Sequence, residues 1–412
     1  MAVALVLGGG APNLPLMSGA LLAMDDAGVE FDLVSTTGAG MLIGLMYASP
    51  KSGDRKATLR ATREMGVHDA IYNVFPVNYK IFHKAGPMAE AYTKFHQSWL
   101  AAMPRENEAQ RFMSDMAQFW MATFCPGDMS PKQKGLCQPP PWIDLVVDFE
   151  KLKEFKGEFL MSAFCIEDES LEEFEKAEIT ADHFKAALAM PLIYAPYKLN
   201  GKTYLEGSAF ETLYFGQGGV MKKNLIDTVV YFDILGQRKL IAEPDSLYDA
   251  WVHSIINPLT RIAEMDSHNY KTVEAKAEGV ELLRMPFRDN ISDEQWPKVL
   301  DWSYSNMSTL FDIGYKTGKE FVEKHKDQIL VSKEKTPKRV MEKLDAAGLQ
   351  KEVLAIVEKA DKRVAHTSQA DFQKQFAKLA KQESEEIMEV LACAAQMFEK
   401  APPPDKKTTV TV

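Results

Sequence analysis

Cysteine is scarce in this chain. Cys125, Cys137, Cys165 and Cys393 are the only four in 412 residues, and no two stand at C-x-x-C spacing. That excludes a disulfide framework and a cysteine zinc site. Few scattered thiols suit a reducing cytoplasm, which is the expected location. None of the eight histidines falls at H-x-x-x-H or H-E-x-x-H spacing, so no metal and no cofactor is expected. No apolar run approaches the roughly 18 residues of a membrane-spanning helix. The first residues lack a basic segment and their apolar run breaks at Gly8-Gly9-Gly10, so no signal peptide is expected. Basic excess is missing too: 48 Lys and Arg stand against 58 Asp and Glu, a net charge of -10. A nucleic-acid partner is therefore not expected. Nonspecific adhesion to anionic lipid is disfavoured, although a local patch leaves peripheral membrane contact open.

What the chain does have is concentrated in Met1–Ser49. Ala2–Leu7 is a short apolar run ending at three glycines, as a buried parallel strand would. The glycines permit positive φ and leave their N–H groups uncovered. Leu14–Ala27 carries apolar residues at helical spacing, and Phe31–Ser35 is a second β-rich run. Thr36-Thr37-Gly38-Ala39-Gly40 leads straight into a helix at Met41–Tyr47. A small-residue turn between strand and helix has the form of a nucleophile elbow.

Further along, Lys51–Met65 reads as a surface helix, and Ala89–Met103 as another after Gly86-Pro87. In Asn107–Phe124 the residues Phe112, Met113, Met116, Phe119, Trp120 and Phe124 recur at helical spacing. That face either packs on the core or forms a lid or acyl-chain wall, with Phe112, Met116, Phe119 and Trp120 as its candidates. Pro126–Pro141 has loop composition and closes an insertion of about residues 85–141. Strands are expected at Trp142–Asp148, Glu158–Ile166, Leu225–Leu235 and Val280–Met285. Helices are expected at Ala181–Ala189, within Ser246–Lys276 and at Trp296–Lys324. The alternation predicts an α/β fold, a parallel-rich sheet with helices on both faces, over residues 1–330. A helical extension follows at 331–400, where Val340–Val364 and Phe372–Phe398 are amphipathic. These helices either pack on the main domain or join copies or a partner protein. Residues 401–412 are proline-rich, then polar, and are expected to be disordered.

The first stretch, together with a later one, resembles the patatin-like phospholipases. The later stretch holds Ala186-Ala187-Leu188-Ala189-Met190-Pro191, then Tyr194-Ala195-Pro196, then Gly201-Lys202-Thr203-Tyr204-Leu205-Glu206-Gly207-Ser208. The family shows A-[AS]-x-A-x-P, F-x-P and G-x-x-Y-x-D-G-[GA] at the same spacing. The resemblance implies that the amides of Gly8, Gly9 and Gly10 form an oxyanion loop. It also implies an elbow serine activated directly by an aspartate. Here Gly38 stands at the serine position and Glu206 at the aspartate position, Thr36 replaces the first elbow glycine, and Pro12-Asn13 stand where the family has Arg-Gly.

The standard dyad is thus missing. The leading expectation is a patatin-like protein of lipid or acyl metabolism that binds a lipid or acyl small molecule, or regulates a partner. The alternative is an atypical hydrolase in which Glu206 reaches into a small void expected beside Gly38, holds a water there and acts as general base on an ester, thioester or other apolar substrate. Thr37 is the replacement nucleophile to consider, though one step along an elbow turns a side chain elsewhere. Ser208 takes the place of a small packing residue. A dinucleotide reading meets Asn13 where its third glycine should be, with Glu30 and Asp32 as ribose contacts.

Overall fold

Successive residues of the first strand, β1 (Val3–Leu7), point to opposite sides of a sheet. Val3, Leu5 and Leu7 enter one apolar cluster, Ala4 and Val6 another. The same division recurs along β7 (Thr228–Phe232), where Val230 and Phe232 join the first cluster and Val229 and Tyr231 the second. A strand apolar on both faces is stable only when both are covered, so these two strands form the centre of the sheet.

The computed structural model describes residues 2–330, apart from 11–12, 129, 131, 217–219, 224–225, 237–242, 245–246, 276–278, 294–295 and 297–300. The extension and tail expected after residue 330 lie outside the described residues. The sheet also contains β2 (Leu33–Thr36), β3 (Glu158–Cys165), β4 (Ser170–Glu175), β5 (Tyr197–Leu199), β6 (Lys202–Glu206) and β8 (Glu281–Arg284), in the order β5-β6-β3-β2-β1-β7-β8 with β4 also on β3. Strands β3, β2, β1, β7 and β8 are parallel; β4, β5 and β6 are antiparallel.

The pairing on β3 places the site. Thr36, the last residue of β2, pairs with Met161, and Glu206, the last of β6, pairs with Ala163. β4 pairs with β3 from Leu160 to Cys165, overlapping both partners, so β2 and β6 share the opposite edge of β3 end to end. Glu206 is thereby delivered to the point where β2 turns into its helix. Its N–H donates to Ala189 O at 3.1 Å, just beyond α8 (Ala181–Ala187).

On the larger apolar side lie α1 (Leu14–Asp26), α2 (Gly40–Ala48) and a long C-terminal helix, Tyr304–Ile329. The long helix and α1 touch backbone to backbone. A Cβ placed on Gly314 would stand 2.0 Å from Leu16 O, and one on Gly19 2.1 Å from Phe311 O. Between α2 and the insertion come α3 (Arg55–Arg60), capped by the Asp54 side chain, and α4 (Asp69–Tyr72). The helix expected over Lys51–Met65 is therefore shorter, and its final turn, Ala61–Met65, is 3₁₀.

The stretch expected as an insertion folds as α5 (Pro87–Ala101) and α6 (Glu108–Phe124), with Asn107 capping the latter through Gln110 N–H. Phe112, Met116 and Phe119 pack with Val67, Ile71 and Tyr79 in a cluster of their own, whereas Trp120 is half exposed and stacks on Phe124. Buried Asp115 fixes α6 in place. It accepts from His68 N–H at 2.8 Å and from Lys80 Nζ at 2.9 Å, and burial lowers the lysine to about 8. Phe119 meets Phe75 and Tyr79 edge-on, each with ring centroids 5.6 Å apart. Phe119→Ala is expected to lower unfolding free energy by about 2 kcal/mol, less than a fully buried Phe because the ring is half buried. Urea melts check it.

Two expectations are corrected. Trp142–Asp148 is not a strand: it holds a single helical turn, α7 (Ile143–Val146). Both edges of β3 are occupied, and burying Ile143 and Val147 on one side needs a four-residue spacing. The expected helix Trp296–Lys324 is not continuous: Ser303 is in extended conformation, the described helix runs Tyr304–Ile329, and 297–300 lie outside the described residues. Elsewhere the chain adds α9 (Val220–Lys223) and α10 (Leu247–Asn269), so the long C-terminal helix is α11. No described helix is long and apolar enough to cross a membrane.

Candidate active site

The strand order reverses between β1 and β7. In open parallel sheets ligands bind beyond the C-terminal strand ends at such a crevice. Gly8-Gly9-Gly10 follows β1 there, and the elbow follows β2 alongside. Gly8 N–H donates to Phe232 O at 3.2 Å and Gly9 N–H to Thr212 O at 3.1 Å. Among the described residues Gly10 N–H is left without a partner, at φ +119. Beside it is Asn13, fully buried, whose Nδ2 lies 2.8 Å from where a Gly10 Cβ would stand. Neither polar atom of that side chain has a partner among the described residues. A buried, unsatisfied amide is unfavourable unless something binds it.

Gly38 has φ +52, the left-handed geometry of a tight elbow. No void lies beside it. A Cβ there would stand 2.7 Å from Ser208 Oγ and 2.8 Å from Glu206 Oε1. The structure therefore brings Gly38 and Glu206 together, and Ser208 with them. Ser208 Oγ donates to Glu206 Oε1, the only hydrogen bond of that carboxylate among the described residues. Burial pushes the Glu206 carboxyl up to about 7, and the Ser208 hydrogen bond offsets part of the rise. The buried phenol of Tyr194 is raised as well, first by burial, then by the thiol of Cys137 and the Glu206 carboxylate.

The segment carrying Ser208 is tied to the glycine loop. Besides the Gly9–Thr212 bond, Asp266 of α10 accepts from Leu213 N–H at 3.0 Å, and burial raises its carboxyl to about 6. Thr37 is buried and its hydroxyl donates to Glu211 O at 3.4 Å. The insertion residues Phe112, Met116, Phe119 and Trp120 have one another, Phe75 and the Val67–Ile71–Tyr79 cluster as neighbours. Asp32 accepts from Val3 N–H at 2.9 Å, at the N-terminal edge of the sheet. A ribose contact belongs at the other edge, so the dinucleotide reading fails. Cys165, Asp168 and Glu172 cluster within 4.8 Å, but Lys202 Nζ supplies the cation, 2.8 Å from Asp168 and 3.1 Å from Glu172.

A mixed α/β sheet with a glycine turn after its first strand, an elbow after its second and a carboxylate beside the elbow defines a hydrolase-type scaffold. The family model for patatin-like phospholipase matches residues 5–216, just over half of the 412-residue chain. The chain belongs to the patatin-like phospholipase family. No curated protein matches the sequence. Among solved structures, VipD from Legionella pneumophila is similar at 11% identity and TM-score 0.34, over 97% of this chain and 84% of that one. At that level the likeness carries no argument about function.

Proposed function

We propose that this protein is an atypical acyl hydrolase of lipid metabolism, in which Glu206 acts as general base beside the elbow. One observation carries the reading. A structural carboxylate would be satisfied by backbone donors, whereas the buried Glu206 has a single hydroxyl partner among the described residues and titrates at about 7. A base poised near the working pH accepts a proton in the forward step and returns it in the next. Gly10 N–H and the Asn13 amide, which has no partner among the described residues, are the donors proposed for the developing oxyanion. A purely binding or regulatory role gives no use to a base so held.

The substrate class proposed is a linear acyl ester or thioester. Phe95, Trp99, Trp120 and Phe124 on the outer faces of α5 and α6 are exposed, which suits contact with an aggregated lipid. The test is hydrolysis of p-nitrophenyl esters and acyl thioesters of graded chain length by the full chain. Turnover is expected to rise with pH through about 7 as Glu206 loses its proton. Absence of turnover across the panel, with acyl ligands still bound, would return the protein to the binding class.

A further inference from the structure

Four hydroxyls crowd the end of β2. Three are engaged by backbone carbonyls: Ser35 Oγ donates to Tyr214 O at 2.6 Å, Thr36 Oγ1 to Leu160 O at 2.9 Å and Thr37 Oγ1 to Glu211 O at 3.4 Å. The fourth, Ser208, donates to the Glu206 carboxylate. Its position is unusual. It occupies the volume that a side chain at position 38 would take, 2.7 Å from the Cβ site of Gly38. It also faces the glycine loop, where a Cβ on Gly9 would stand 3.3 Å from Ser208 Cβ and 3.5 Å from its Oγ. The two glycines leave a wedge between elbow and loop, and the hydroxyl fills it.

We infer that Ser208 is the nucleophile of this site and Glu206 its base, a dyad carried wholly at the end of β6 instead of being divided between β6 and the elbow. The inference rests on the acyl-hydrolase reading above and adds a covalent intermediate to it. Ser208 Oγ attacks the substrate carbonyl carbon while its proton passes to Glu206, and the carbonyl electron pair moves onto oxygen. The tetrahedral intermediate collapses by expelling the alcohol or thiol, which takes that proton, and leaves an acyl ester on Ser208. Water then attacks the acyl carbon as Glu206 accepts its proton. Collapse returns the proton to Ser208 Oγ and releases the carboxylic acid. Glu206 and Ser208 end as they began. Asn13 beside Gly10 is an independent sign of a ligand here, since a fully buried amide has neither of its polar atoms paired among the described residues.

Ser208 is 2% exposed, so the probe must be slender. The full chain is treated with a linear alkyl fluorophosphonate and the adduct is mapped by peptide mass spectrometry. Turnover of a p-nitrophenyl acyl ester is measured in parallel for wild type, Ser208→Ala, Ser208→Cys and Glu206→Gln. The expected result is a single adduct on Ser208, and turnover in Ser208→Ala lower by at least about 10²-fold. A short mixing time and acid quench should leave the acyl group on the Ser208 peptide. If Ser208→Ala keeps wild-type turnover while Glu206→Gln loses it, the nucleophile is water: this inference fails and the hydrolase reading stands. If wild type neither turns over any ester nor takes an adduct, both fail. Should Ser208→Ala not fold, the adduct site in wild type and the isosteric Ser208→Cys variant still decide.

Discussion

Replacing Glu206 by glutamine is expected to cut acyl-ester turnover by about 10²–10⁴-fold, and to make the folded protein more stable above neutral pH. The first effect is loss of the base. The second follows from its burial. Its carboxyl titrates at about 7 in the folded protein against an ordinary 4.5. The folded state thus holds the proton more tightly than the unfolded chain does. Stability from this group is full below about 4.5 and is lost as pH rises through about 7, by an amount on the order of 3 kcal/mol. Glutamine keeps the shape, still accepts from Ser208 and has no proton to lose. Wild type should therefore weaken more between those pH values than Glu206→Gln does. Asp266 is raised by burial to about 6 and acts in the same direction, but it is present in both proteins and cancels in the difference. Urea melts at about pH 5 and about pH 8 measure the gap. Equal pH slopes in the two proteins would mean that Glu206 is well solvated and would remove the base from the mechanism.

Much of this arrangement was legible because the chemistry of the turn is local. Gly8-Gly9-Gly10 after an apolar run, and a small-residue turn before Met41–Tyr47, each announce a strand end and a helix start. Both lie where the sequence puts them, from β1 to α2. Asn107 likewise marks the start of α6. The positions of Gly38 and Glu206 came from motif spacing, and the register of β2 and β6 along one edge of β3 is the physical reason that the two meet.

The antiparallel strands were not legible. β4 reads Ser-Leu-Glu-Glu-Phe-Glu, with only Phe174 buried, and β5 has three residues. Such strands exist because β3 and β6 offer an edge, not because of their own pattern. Ser208 and Asn13 were missed for a related reason. A serine after a glycine looks like packing until its partner is known, and the void expected beside Gly38 is filled by this hydroxyl. Asn13 was noted only as a departure from a glycine pattern. What distinguishes it is complete burial without a hydrogen-bond partner among the described residues, a property of the fold. The coincidence of a missing elbow side chain with a hydroxyl two residues past the carboxylate was the available signal.

That coincidence gives a second large effect. Gly38→Ser, which places a serine on the elbow, is expected to abolish turnover and to lower stability by about 2–4 kcal/mol. The new Cβ would meet Ser208 Oγ at 2.7 Å, Glu206 Oε1 at 2.8 Å and Ser208 Cβ at 2.9 Å, all closer than real Cβ contacts come. The backbone at φ +52 adds strain for any side chain. Ser208 must then move off Glu206, and with it the hydroxyl assigned as nucleophile. Two of the three collisions vanish with Ser208→Gly, and Glu206→Asp withdraws the third by one methylene. The triple change, Gly38→Ser with Ser208→Gly and Glu206→Asp, should therefore regain stability over the single one. It should also regain esterase turnover, with the fluorophosphonate adduct moved to position 38. Thermal melts and peptide mapping of the three proteins make the comparison. A Gly38→Ser variant as stable and as active as wild type would mean that the wedge is not filled by Ser208, and the one-strand dyad would be lost with it.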